Sequence, residues 1–356
     1  MIVRCLPLIA LLLATIPAAA AQDPDQAPQA QSSQAPRYQQ TIEVVGVTPI
    51  HGIGLPKLKI PANVQVLTPS ARAVSRAAPQ AELPSLFAER AMGMQLSEVQ
   101  GGTFQPDLLF RGFTGSPLLG GAQGLALYQD GVRINEPFGD TVSWDTIPVA
   151  AIASVNGIPG SNPLFGLNTL GGALSIQTKD GFTHPGHSAS FTLGSFGRKT
   201  LEVSSGGRRG SLAYFAAGTL TDEDGWRDFS PSSVRRVYGD VAWRDKVHLV
   251  QVSVTAASND VIGNGAVPEQ LLTTNRRAVF THPDATDNRM LMATVRARRV
   301  HSDRTRLDAV AYYRDGSVDT FNGDAADEED EEEEEEEETE EETEEETEEE
   351  GVLDED

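Results

Sequence analysis

Few side chains in this sequence stand where they could do chemistry. Six histidines are scattered along the chain, and only His184 and His187, in His-Pro-Gly-His, lie close together. A metal site needs several ligands converging at fixed distances, so a turn with incidental histidines accounts for this pair. Asp222-Glu-Asp-Gly225 resembles the opening of a calcium loop but lacks the later ligands. Asp130 precedes Gly131, and an Asp-Gly pair marks a turn without any reaction. There is no Gly-x-Ser-x-Gly elbow, phosphate loop or His-Glu-x-x-His. The single cysteine, Cys5, lies in a segment expected to be removed, which leaves no thiol for a disulfide, a zinc site or a nucleophile. No catalytic residue, metal ligand or cofactor is assigned, and the chain does not read as an enzyme.

One segment offers main-chain chemistry instead. Thr41, Ile42, Glu43, Val44 and Val45 open a β-branched run through Thr48 that ends at Pro49. Such a run favours extended backbone. It follows residues 22–40, rich in Gln, Pro and Ala and poor in large apolar side chains, which cannot offset the entropy of ordering and are expected to be disordered. A strand-former on a flexible leader can add to the edge of a partner's sheet; equally, it can be the first strand of the next domain.

The elements around these residues begin with an export signal. Arg4 gives a positive start, residues 6–16 form a mostly apolar run, and Ala18 to Ala21 after Pro17 offer small side chains for cleavage near Gln22. A short core helix is the alternative. The run is well below the roughly 20 residues of a spanning helix, and no later stretch approaches that length, so any further membrane crossing would be by strands.

Residues 55–181 read as an α+β domain with glycine-rich connections. Strands are expected at 62–67, 108–113, 125–128, 152–158 and 173–178, and a helix within 80–92 that admits Pro84 only in its first turn. From Ser188 to Arg314 about seven segments alternate apolar and polar residues, for example Val237, Val241 and Trp243, then Val250, Val252 and Val254. Segments of ~10 residues with one apolar face suit tilted transmembrane strands. The opposite face carries Arg296, Arg298, Arg306 and Asp308, which suits a wet lumen. Connections near 206–210, 244–246 and 300–303 are short, 195–198 is a brief loop on the other side, and 222–234 and 258–288 are long, the parity of barrel turns and outer loops. A soluble sandwich, the alternative, explains neither feature. Trp144, Trp226 and Trp243 are open to girdle or loop roles.

Charge divides the chain. Of 52 acidic residues, 24 fall in residues 327–356, leaving 28 against 28 basic ones, for a net charge of -24 in all. The balanced body argues against a nucleic-acid partner. Residues 324–356 form an acidic low-complexity tail expected to be disordered. It reads as a translated simple repeat or as a cation- or partner-binding tail.

Three stretches carry a resemblance. Phe110-Arg111-Gly112-Phe113, then Leu127-Tyr128-Gln129-Asp130-Gly131-Val132, then residues 152–179 with Phe165-Gly166, Gly171-Gly172 and Thr178-Lys179, resemble the plug domain of TonB-dependent outer-membrane receptors. Gly157-Ile158-Pro159-Gly160 departs from the family, which carries a basic residue before a Gly-Pro pair there. In that light Thr41 to Val45 resembles the TonB box. The resemblance implies a plug at 55–181 with Arg111, Gly112, Asp130, Gly131, Gly166, Gly171, Gly172 and Lys179 as motif residues. It implies an incomplete antiparallel barrel at 186–323, since the family's barrel has many more strands. It also implies TonB and its inner-membrane energising complex as partners, a small-molecule ligand such as a metal chelate, with a ferric siderophore the first expectation, and the Gram-negative outer membrane as location. A form not competent for transport alone is expected. A soluble periplasmic binding module with an acidic tail is the alternative.

Overall fold

The computed structural model describes residues 63–68, 82–91, 93–98, 102–161, 165–302 and 304–323, and the backbone of 44–46 and 54–56. The export signal, the linker, Thr41 to Glu43 and the acidic tail lie outside the described residues.

Strand β1 (Val44–Gly46) pairs antiparallel with β2 (Gly54–Pro56), with Val45 opposite Leu55. The expected extended segment is therefore already paired within the chain at its C-terminal end. The next domain is built on a five-stranded sheet in the order β3 (Gln65–Leu67), β9 (Ile152–Pro159), β10 (Gly172–Thr178), β7 (Leu125–Gln129) and β8 (Val132–Arg133). A second sheet holds β4 (Met94–Ser97), β5 (Asp107–Phe110) and β6 (Phe113–Gly115). Helix α1 (Leu83–Arg90) puts Pro84 in its first turn, where a missing N–H costs no hydrogen bond, and buries Leu83, Leu86 and Phe87.

The expected strand at 108–113 is two strands. Arg111 and Gly112 both have positive φ, 54° and 83°, so the chain reverses there and Phe110 faces Phe113 across a tight hairpin. A close approach fixes Gly172: a Cβ there would lie 2.5 Å from the Ile158 carbonyl oxygen on β9, and its φ is 153°. The core joins Leu83, Phe87, Leu108, Leu125, Leu127, Ile152 and Leu174 around Trp144. Trp144 is thus a core residue and no girdle aromatic; its indole N–H donates to the Gly115 carbonyl at 2.9 Å.

The remaining strands form one seven-stranded antiparallel meander: β11 (Gly186–Leu193), β12 (Lys199–Arg209), β13 (Leu212–Glu223), β14 (Ser232–Arg244), β15 (His248–Ile262), β16 (Ala285–Ser302) and β17 (Thr305–Phe321). They run longer than the sequence suggested, so the turn expected at 206–210 shrinks to 210–211. Short connections lie at 210–211, 245–247 and 303–304; the opposite end carries 194–198, 224–231 and 263–284, the last with helix α2 (Glu269–Thr274).

Burial along this sheet is inverted relative to a soluble protein. Val237, Val241 and Val252 are 45–58% exposed, whereas Arg236, Asp240, Thr255 and Asn259 are at most 3% exposed. Over β13 to β16 the apolar face is bare and the polar face is covered, whereas β11 and β17 are exposed along most of their length. A sandwich core would reverse this; a sheet whose outer face meets lipid requires it. The polar face is not a wet lumen at Arg236 and Arg296, because the preceding domain fills it.

Candidate functional site: the seam between plug and strand wall

Asp145 sits in the short 3-10 turn Trp144–Thr146 and is fully buried. Trp144 beside it is anchored in the core, which fixes the direction of the Asp145 side chain toward the wall. Its carboxylate accepts two amide N–H bonds from Asn288, both at 2.9 Å, and one from Asn259 at 2.8 Å. Its carbonyl accepts from Asn259 at 2.9 Å and from Arg236 Nε at 2.6 Å. Three wall strands, β14, β15 and β16, therefore converge on one residue of the domain they enclose. Alternation along each strand puts Arg236, Asn259 and Asn288 on the inner face.

Asp130 holds a second junction. Asp130 and Gly131, with φ of 52° and 91°, make the turn between β7 and β8, as the Asp-Gly pair indicates. The turn is buried, however, and the carboxylate works. It accepts from the Thr178 amide at 3.1 Å and the Thr178 hydroxyl at 2.5 Å, and pairs with Arg296 of β16 at 3.2 Å. The Thr178 hydroxyl also meets the Tyr238 hydroxyl of β14 at 2.7 Å, and Gln129 donates to Thr255 of β15 at 2.9 Å.

Two buried ion pairs cross the seam here. Glu82, at the head of α1, lies 2.8 Å from Arg236, and Asp130 faces Arg296. In both, the facing guanidinium nitrogen makes no aligned hydrogen bond, so the attraction is Coulombic without the directional contribution of a fork-to-carboxylate contact. Nearer β17, Arg314 pairs with Glu136 at 2.5 Å.

The expected motif residues fall into two groups. Asp130, Gly131, Thr178 and Lys179 come together at the seam. Lys179 donates from Nζ to the Ala150 carbonyl at 2.7 Å and lies 5.9 Å above the Phe215 ring of β13. Burial lowers its pKa, and nearby Glu202 opposes that shift. Arg111 and Gly112 instead turn the β5–β6 hairpin. Gly166 takes a φ of 74°, and the Gly171 amide donates to the Gly124 carbonyl at 2.9 Å. Thr41, Ile42 and Glu43 lie outside the described residues; Val44 and Val45 are in β1. Asp145, Glu82, Arg236, Asn259 and Asn288 were not foreseen. The signal available was parity: the strand alternation already placed Arg236, Asn259 and Asn288 inside.

The His184–His187 pair and the run from Asp222 each find local partners. His184 meets the Thr183 hydroxyl and His187 meets that of Ser205, each at 2.9 Å, so the pair shares no focus. Asp222 accepts from Ser233 at 2.9 Å, while Glu223 pairs with Arg198 at 3.2 Å. Among the described residues no group of three His, Cys, Asp or Glu is arranged to hold a metal.

Comparison with known proteins agrees with this geometry. Residues 56–173 match the family model of the TonB-dependent Receptor Plug Domain. Among solved structures, the chain is similar to the ferric citrate transporter FecA in its unliganded form, with 13% identity, a TM-score of 0.61, and coverage of 74% of this chain and 41% of that one. It is also similar to the ferric-catecholate import receptor Fiu of E. coli K12 in its open form, with 14% identity, a TM-score of 0.60, and coverage of 75% and 40%. A third is BauA, the ferric preacinetobactin receptor from Acinetobacter baumannii, with 16% identity, a TM-score of 0.59, and coverage of 78% and 41%. No curated protein sequence matches the chain. The chain thus spans about two-fifths of the length of these structures. Residues 56–173 thus match a receptor plug domain, and the chain shares the fold of these structures, a plug followed by strands of a surrounding barrel wall.

Proposed function

We propose that this chain is the plug and adjoining wall of an outer-membrane receptor for active uptake of a scarce ligand, with a ferric siderophore as the first candidate. The observation that supports the reading best is the polar seam. Hydrogen bonds and ion pairs seat the plug at Asp145 and Asp130, and water can replace them at a net cost of about 0.5–1.5 kcal/mol per hydrogen bond. A domain meant to shift inside its wall is better held this way than by a large apolar core.

In the proposed mechanism, ligand binding at the outer end frees residues 41–45 on the other side. TonB then pairs with them by strand addition, and force derived from the inner-membrane proton gradient shifts the plug. Receptors of this kind perform no covalent chemistry, so no catalytic residue is assigned.

Strand addition is carried by main-chain hydrogen bonds. Ile42→Pro or Val44→Pro removes an N–H and restricts the backbone. A pull-down with the TonB C-terminal domain should therefore lose most binding with either variant. Unchanged capture of both would leave Thr41 to Val45 as an ordinary strand and remove the coupling step.

A further inference from the structure

We propose that Arg227 locks the two long connections at one end of the wall, residues 224–231 and 263–284, into a single body that moves as a unit. The two connections are not consecutive. Strands β14 and β15 lie between them, and the turn joining those strands is at the opposite end. Any mechanical tie between the tips must therefore come from contacts made directly across the two loops.

Arg227 supplies it. Nη1 donates to the Asn264 carbonyl at 2.7 Å and the Gly265 carbonyl at 2.8 Å, and Nη2 donates to the Ala278 carbonyl at 3.0 Å. One guanidinium thus pins both the beginning and the later part of the larger loop. That loop has little interior of its own, since α2 buries no residue. The planar fork of an arginine can serve three carbonyls in fixed directions; an ammonium cannot match that geometry.

The neighbouring residue extends the tie. The Asp228 amide donates to the Arg277 carbonyl at 2.9 Å. Its carboxylate accepts from Asn275 at 2.9 Å and pairs with Arg277 at 3.2 Å. Phe229 then stacks on His282 with ring centroids 4.2 Å apart. Three successive residues of the shorter loop thus each contact the longer one. On the receptor reading of the previous subsection, this end faces outward, so the pair would admit or hold the ligand together. The lock itself does not depend on that reading.

Hydrogen exchange of the full chain in detergent micelles tests it without ligand or uptake. Arg227→Ala should speed amide exchange at least about tenfold in 263–284 as well as in 224–231, because the lost hydrogen bonds belong to both. Arg227→Lys keeps the charge but should open both loops to the same extent. The central amides of β14 and β15 should stay protected and report an intact fold. Faster exchange confined to 224–231, or full protection restored by Arg227→Lys, would overturn the proposal. Should these variants not fold, spin labels on Trp226→Cys and Leu272→Cys, in a Cys5→Ser background with Arg227 intact, give a second measurement. One narrow distance is expected, and a broad distribution would overturn the lock equally.

Discussion

Asp145 concentrates at one residue what the seam does along its length. Five donated hydrogen bonds reach its carboxylate and carbonyl from β14, β15 and β16. Asp145→Ala keeps the carbonyl acceptor but leaves the Asn288 amide without its acceptor and weakens the hold on Asn259. A buried polar group left unpaired costs about 1–3 kcal/mol, so the variant should lower the urea midpoint of plug protection against protease. The Glu82–Arg236 pair behaves differently. Glu82→Ala strands a guanidinium in the seam that is 2% exposed, and loss of one partner of a buried pair costs about 3–5 kcal/mol. Glu82→Ala with Arg236→Met removes both charges and should recover much of that loss. A double-mutant cycle on the same protease readout checks it; additive effects would show that the pair carries no coupling. Neither residue could be singled out from the sequence. The Asp-Gly turn at Asp130 was legible, because positive φ at both positions leaves a local mark. The junction with Arg296 was not, since a contact between residues so far apart in the chain leaves none.

At the scale of elements, local backbone rules explain most of what the sequence made legible and its main miss. The helix start followed from Pro84 and its buried face from the spacing of Leu83, Leu86 and Phe87, while its end at Arg90 falls short of the expected stretch to Met92. Residues 108–113 look like a single strand because every side chain but Gly112 tolerates one. The positive φ at Arg111 and Gly112 converts the run into a hairpin and frees Phe113 to pair with Phe110. Gly172 shows the opposite case, a glycine demanded by its neighbour. Gly172→Ala would drive a methyl group into the Ile158 carbonyl and hold a non-glycine residue at a φ of 153°. Strain of this kind costs about 1–3 kcal/mol. It falls where β10 joins β9 to β7, so the whole sheet should loosen. Faster hydrogen exchange across Ile152–Pro159 and Leu125–Gln129 is expected in the variant. Loss of protection confined to the substituted position would count against β10 as the central brace.

At the scale of the molecule, the alternation that placed Val237, Val241, Val250 and Val252 on one face predicted a membrane wall, and the exposure of that face agrees. What alternation could not show is how the inner face is satisfied. Over β14 to β16 it is polar because a plug presses against it; toward β17, where the Arg306 side chain is 38% exposed, the plug does not cover it. The seven described strands nevertheless form an open sheet with β11 and β17 at its edges. In hydrocarbon, each unpaired edge N–H or C=O costs several kcal/mol by rough estimate. An eight-stranded barrel is only just filled by its own side chains, so a barrel of this number of strands could not close around a plug. The wall can cover Asp145 and Asp130 while leaving other flanks bare, as the 79% exposure of Phe138 and 77% exposure of Leu167 on the plug illustrate. Closure around the plug therefore takes more strands than the seven described, and a product holding only these seven is expected neither to insert stably nor to transport. Expression in a strain without its own receptors should yield no species whose gel mobility shifts on heating, and no TonB-dependent ligand uptake. A heat-modifiable, protease-resistant outer-membrane product that restores uptake would overturn this expectation, because it could form only if these strands closed by a route that the open sheet does not display.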